Sequence, residues 1–125
     1  MPKEGVVTTT VACRRRHTRY EVPPGTEAAV EFPYPGPHSD RFEMPLRDIS
    51  ASGLSFELTL ELPGLEAGKC LGPSVISFGQ HRIRADLLVM HMTPDAGIGS
   101  TCGVLVYPAR DSDLLTLQSL ILSLD

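Results

Sequence analysis

The chain has 125 residues and a mass of 13.5 kDa, enough for one compact core but not for two independent ones. Hydrophobic residues make up 42% and charged residues 21%, with mean hydropathy near zero, a balance that fits neither wholesale disorder nor a membrane protein. Gly and Pro number 11 each, which suits short strands joined by turns better than long helices and points to an all-β chain.

The net charge of −4 is unevenly spread. The first 20 residues carry Lys3, Arg14, Arg15, Arg16 and Arg19 against Glu4 alone, whereas the remaining 105 hold six basic and fourteen acidic residues. A basic head on an acidic body suggests a small anionic partner for the head and argues against a broad groove for DNA or RNA. Cys13, Cys70 and Cys102 are odd in number and form no CxxC pair, so they signal neither a disulfide framework nor a zinc ribbon and fit a reducing, cytoplasmic setting. No apolar run approaches the roughly 20 residues of a membrane-spanning helix, so no membrane insertion is expected.

Residues 1–13 show little pattern beyond Val6, Val7 and Val11, and read as a flexible tail or a marginal edge strand; residues 14–125 read as a single domain. The arginine cluster follows the tail. From Tyr20 to Phe32 the alternation of Val22, Ala28, Val30 and Phe32 with polar neighbours predicts a strand entered through a turn at Pro23-Pro24-Gly25. Residues 33–40, rich in Pro and Gly, can only be a loop. Phe42, Met44, Leu46 and Ile49 make a second strand whose alternation slips near Arg47, the mark of a bulge. Leu54, Phe56 and Leu58 make a third, joined to the second through Asp48–Gly53, and residues 61–73 form a long connection. Val75, Ile76 and Phe78 give a fourth strand, Gly79-Gln80 a tight turn, residues 81–92 a fifth strand and Thr101–Tyr107 a sixth. The period then changes. Ser112 or Asp111 is a suitable N-cap, Asp113 suits the positive end of a helix dipole, and Leu114, Leu117, Ile121 and Leu124 fall at helical spacing. Leu115 and Leu122 are left over, for the barrel rim, a second subunit or a partner. The fold class is therefore all-β, a six-stranded antiparallel barrel with a C-terminal helix.

Two segments could carry chemistry. Arg14, Arg15, Arg16 and Arg19 concentrate permanently charged, fork-shaped guanidinium groups that bind phosphate oxygens in pairs, grip the guanine edge and stack on its face. Alone, such a run is equally the composition of a solvated basic tail. In Asp48-x-Ser50-xx-Gly53 a carboxylate and a hydroxyl offer acceptors for guanine N–H groups, and Gly53 can take the positive φ that turns the chain back. Alone, these residues are also ordinary turn formers.

Taken together, Arg15-xxx-Arg19 followed about thirty residues on by Asp48-x-Ser50-xx-Gly53 resembles the paired signature of the PilZ domain family. The likeness extends through Tyr20-Glu21-Val22, Leu54 and Phe56 to the terminal helix, nearly the whole chain. It implies a six-stranded barrel that binds the second messenger cyclic di-GMP, with Arg15 and Arg19 on phosphates and guanine, Asp48 and Ser50 on a guanine edge, and Gly53 shaping the turn. Arg14 and Arg16 lie outside the motif positions and stand as additional candidates. One departure is noted: the family often has phenylalanine three residues after the glycine of the late strand, where Gly103 is here followed by Val106, a change of packing volume remote from the ligand signature.

His17, His38, His81 and His91 show no metal-ligand spacing, His81 and His91 reading as strand-end surface residues. No glycine-rich phosphate loop or catalytic carboxylate pair is present, so no enzymatic activity and no cofactor beyond the ligand are expected. The resemblance implies a cyclic di-GMP receptor in motility or biofilm control; 125 residues leave room for a stand-alone module acting on an unidentified downstream protein, and the repelling arginines set outside the first strand by Pro23-Pro24-Gly25 lead us to expect a ligand-induced change of the N-terminal Arg arm. The alternative is a PilZ-like adaptor of type IV pilus or motility systems that works by protein contact without nucleotide. A homodimer through the C-terminal helix is a further expectation.

Overall fold

The computed structural model describes residues 18–94 and 97–125, so the predicted tail over residues 1–13, together with Arg14, Arg15 and Arg16, lies outside the described residues. Among the described residues the elements are β1 Tyr20–Glu21, β2 Ala28–Pro33, β3 Arg41–Ile49, β4 Gly53–Glu57, β5 Cys70–Phe78, β6 His81–Met92, β7 Thr101–Pro108 and the helix α1, Asp111–Leu124. All pairings are antiparallel. The order β3-β2-β5-β6-β7-β4 returns to β3 through the β3–β4 pairing, closing a six-stranded barrel. Closure leaves no long unpaired edge, which a small sheet would otherwise have to protect.

Side-chain alternation drives this arrangement. Along β6, Ile83, Ala85, Leu87 and Val89 are buried while Arg82, Arg84 and Asp86 face outward, the period-two pattern of a strand with one wet face. Phe32 and Phe56 meet in the core with ring centroids 5.4 Å apart, surrounded by Met44, Ile49, Leu54, Ile76, Ile83 and Leu87. Each of these side chains, fully removed from water, contributes about 1.5–3 kcal/mol of transfer free energy. The expected slip near Arg47 is present as a register shift between Leu46 and Asp48 in the β3–β4 ladder. Val106 is buried in the core, where its backbone N–H also donates to Ser52 O at 2.9 Å and ties β7 to the β3–β4 turn.

Four expectations are corrected. The predicted first strand divides: Pro23-Pro24-Gly25 separates the two-residue β1, which pairs with β3, from β2. The long connection ends sooner than expected, because β5 starts at Cys70 and absorbs Gly72-Pro73 in a bulge between Leu71 and Ser74. The helix N-cap is Arg110, with extended backbone and no side-chain cap, and not Ser112 or Asp111. Asp113 supplies the local compensation: its Oδ1 accepts the Arg84 backbone N–H at 2.9 Å, tying the first turn to β6. This tie also rotates the helix from its expected setting. Leu117 and Leu120 are buried, Ile121 and Leu124 partly so, and Leu114 is instead 40% exposed. The helix thus lies on β6 and β7 with Asp113, Leu117 and Leu120 inward.

Two buried groups hold their protons more tightly than usual. Tyr34 donates to Pro63 O at 2.6 Å, anchoring the β4–β5 connection, and its phenol pKa is raised by burial and then by the Glu66 carboxylate. Burial pushes the Cys102 thiol up to about 12. His81 is half-buried and His91 exposed, both at the ends of β6.

Candidate functional site

The β3–β4 turn is built by backbone and hydroxyl together. Ser50 N donates to Gly53 O at 2.7 Å, Ser50 Oγ accepts from Gly53 N at 3.1 Å and Ser52 N at 3.3 Å, and the same hydroxyl donates to Gly53 O at 3.2 Å. Ser50 is only 3% exposed, so its side chain holds the turn from within. Gly53 does not have the expected positive φ, which is seen at Gly25, Gly64, Gly68, Gly79 and Gly99. Its reason is close approach: a Cβ at Gly53 would stand 2.4 Å from Val104 O on the neighbouring strand β7. Glycine is required there by the strand across from it, not by the turn.

Of the four arginines, Arg19 is brought to this turn by β1. The β1–β3 register sets Tyr20 opposite Ile49 and Glu21 opposite Asp48. Arg19, one residue before β1, donates from Nη1 to Asp48 Oδ1 at 2.8 Å across 29 residues of sequence. One member of each half of the sequence signature is therefore in direct contact. Both side chains keep access to water, 47% for Arg19 and 26% for Asp48. A pair so exposed is worth about 0–1 kcal/mol, weak enough to be exchanged for another partner.

The turn separates two recesses of different character. On one side Glu21, Val22, Leu46, Arg47, Asp48 and Glu57 line a recess of about 350 Å³. Its formal charges are three carboxylates against Arg47 and the adjacent Arg19. On the other side Ala51, Ser52, Leu105, Val106, Tyr107 and Leu114 border an apolar recess of about 330 Å³. Tyr107 is 52% exposed there and offers an aromatic face. Sequence reasoning singled out neither Glu57 nor Tyr107, since β4 and β7 meet the turn only after barrel closure. It also missed the bond from Tyr20 Oη to Asp125 Oδ1, 2.8 Å, which links the residue after Arg19 to the far end of α1 across 105 positions. Among the described residues no group of three or more His, Cys, Asp or Glu could hold a metal ion, and no helix is long and apolar enough to cross a membrane.

A closed six-stranded antiparallel barrel with a C-terminal helix, and Arg19 against Asp48 at its rim, are the features set beside known structures. The fold is that of the PilZ domain. The chain is similar to the K. pneumonia MrkH–c-di-GMP complex, with a TM-score of 0.74 at 19% identity over 89% of this chain and 52% of that one. It is similar to the PilZ domain of YcgR from Escherichia coli with c-di-GMP, with a TM-score of 0.65 at 18% identity over 89% of this chain and 91% of that domain. YcgR in complex with c-di-GMP gives 0.67 at 19% identity, covering 89% and 46% of the two chains. The chain thus spans about half the length of the MrkH proteins it resembles. No family model and no curated protein matches the sequence.

Proposed function

We propose that this domain is a cyclic di-GMP receptor module, holding the nucleotide between the arginine segment and the Asp48–Gly53 turn. The observation that carries the reading is the Arg19–Asp48 contact, which brings the two halves of the signature within 2.8 Å on a PilZ-type barrel. Arg15 and Arg19 grip phosphate and guanine, Asp48 accepts from the guanine N1–H and N2 amine, and Ser50 and Gly53 keep the turn in the shape that presents them. Charge gives Arg14 and Arg16 a part. The Glu21, Asp48, Arg47, Glu57 recess with Arg19 is one unit negative and repels a dianionic nucleotide; Arg14, Arg15 and Arg16 turn it two units positive, matching the two phosphates. The apolar recess beside Tyr107 supplies a surface for a purine face.

Binding exchanges the weak Arg19–Asp48 pair for ligand contacts, so the arm changes partners when the messenger arrives. That change is the signal, passed to a downstream protein. The route adds protection over residues 5–20 in amide hydrogen exchange when nucleotide is present; equal protection with binding confirmed removes the arm from the mechanism. The second reading, an adaptor acting by protein contact without nucleotide, draws support from Ser50, whose hydroxyl is already committed inside the turn, and from an Arg19–Asp48 pair satisfied without ligand. Titration with cyclic di-GMP beside cyclic di-AMP and a single-stranded oligonucleotide separates these readings. Saturable binding of cyclic di-GMP alone supports the receptor; no heat and no displacement of labelled nucleotide supports the adaptor.

A further inference from the structure

The bulge in β3 changes which side chains face the recess beside the turn. Met44 and Leu46 are buried at the usual alternation, but the next buried side chain is Ile49, so Arg47 and Asp48 stand together on the outer face where strict alternation would send one of them inward. The ladder to β4 records the same event: Leu46 pairs with Phe56 and Asp48 with Ser55, which leaves Arg47 over. The backbone of Arg47 is held, its carbonyl accepting from Val22 N at 3.3 Å where the chain leaves β1. Its side chain is not. The guanidinium is 53% exposed, makes no hydrogen bond among the described residues, and has a single ion pair there, at 4.0 Å, with a Glu57 side chain that is itself 42% exposed. A pair so long and so wet holds weakly.

We infer that Arg47 is a further nucleotide-binding residue, outside the two-part signature, which takes a phosphate of the ligand, and that Glu57 is a positioning residue that holds the guanidinium until the phosphate arrives. The inference rests on the receptor reading and concerns how that same site receives its anion. Arg19 and Arg47 both stand beside Asp48, the first bonded to it at 2.8 Å and the second next to it in sequence on the same face. Arg19 already has a carboxylate at hydrogen-bond distance. The donors of Arg47 are uncommitted among the described residues, so a phosphate that pairs with its planar fork gains charge-assisted bonds and breaks little.

Glu57 supplies the other half of the inference. Glu21, Asp48 and Glu57 place carboxylates around the recess, and Glu57 is the one that reaches Arg47. A phosphate must therefore compete with the Glu57 carboxylate for the same guanidinium, and the competition lowers its affinity. Glu57 on this account sets the strength of binding and not the choice of base, because it acts on the phosphate side of the ligand. The bulge makes the arrangement possible: one extra residue in β3 brings Arg47 out beside Asp48 and within range of β4.

The test is calorimetric titration of the full chain with cyclic di-GMP, in wild type, Arg47→Ala, Arg47→Lys, Glu57→Gln and the Arg47→Ala, Glu57→Gln double variant. Arg47→Ala should weaken binding about tenfold and flatten its dependence on salt, and Arg47→Lys, which keeps the charge and loses the fork, should weaken it less. Glu57→Gln should tighten binding about threefold, and most of that gain should disappear in the double variant, because Glu57 acts through Arg47. Lys69→Ala removes one positive charge outside the recess and should bind within about twofold of the wild type. Thermal melts that match the wild type show that the bulge and barrel are intact. A wild type that does not bind overturns the receptor reading and this inference together. Binding by the wild type with Arg47→Ala no weaker than Lys69→Ala, or a Glu57→Gln gain of equal size without Arg47, overturns this inference alone and leaves the receptor reading standing.

Discussion

Replacing Gly53 with alanine tests whether the β3–β4 turn is held by the strand behind it. The added Cβ would lie 2.4 Å from Val104 O, 3.4 Å from the Val104 carbonyl carbon and 3.6 Å from Leu105 Cα. All three atoms are backbone, and Gly53 pairs with Leu105 in the β4–β7 ladder, so no side chain can swing aside. The two strands must separate by about 1 Å, a strain on the order of 1–3 kcal/mol with partial loss of a ladder hydrogen bond of about 1 kcal/mol. The smaller entropy of the unfolded alanine chain returns about 0.4–1 kcal/mol. A net loss of about 2 kcal/mol should lower the thermal midpoint by about 6–10 °C and the urea midpoint by about 1 M with unchanged slope. Circular dichroism during urea and thermal unfolding measures both. Gly25→Ala is the informative control, since it meets nothing within 4 Å and carries only the cost of its φ of 84°. A Gly53→Ala midpoint equal to or above the wild type would refute the close-approach argument.

Other consequences are equally direct. Asp113→Ala should cost about 1–2 kcal/mol in denaturant unfolding by stranding the Arg84 N–H, while Asp113→Asn, which keeps an acceptor there, should cost less. Leu120→Ala should cost about 2–5 kcal/mol and Leu114→Ala much less, reversing the order that helical spacing alone suggests. In a Cys13→Ser chain, exposed Cys70 should react with a thiol reagent in the native state and buried Cys102 only on unfolding. Because burial raises the Cys102 thiol from 9.0 to about 12, its contribution to stability is complete below pH 9 and is lost as pH rises toward 12, which denaturant midpoints at pH 8 and pH 10.5 would register.

The sequence was most readable where one physical constraint acted alone. Strands β3 and β6 each have one wet and one dry face, so alternation marked them, and the slip near Arg47 marked the bulge between Leu46 and Asp48. The helix was readable as a helix but not in its rotation. Leucine or isoleucine occupies 114, 115, 117, 120, 121, 122 and 124, so nearly any direction looked apolar, and the choice was made by the Asp113 bond to β6. Gly53 was read from its turn, whereas its cause lies on β7, about fifty residues away. The two halves of the candidate site were visible as residue types; their contact through β1 was not, because a two-residue strand carries too little alternation to announce a pairing. The Tyr20–Asp125 bond left no local signal at all.

Calorimetric titration of the full chain with cyclic di-GMP, in wild type, Arg19→Ala and Asp48→Ala forms, tests the central claim most directly. Saturable binding in the micromolar range or tighter, about −8 kcal/mol, is expected of the wild type. Arg19→Ala should weaken it at least tenfold, and Asp48→Ala should cost about 1–3 kcal/mol while relaxing the preference over cyclic di-AMP, the outcome expected of a carboxylate proposed to read the base and not the phosphate. Absence of binding by the folded wild type, or equal affinity in all three proteins, would contradict it.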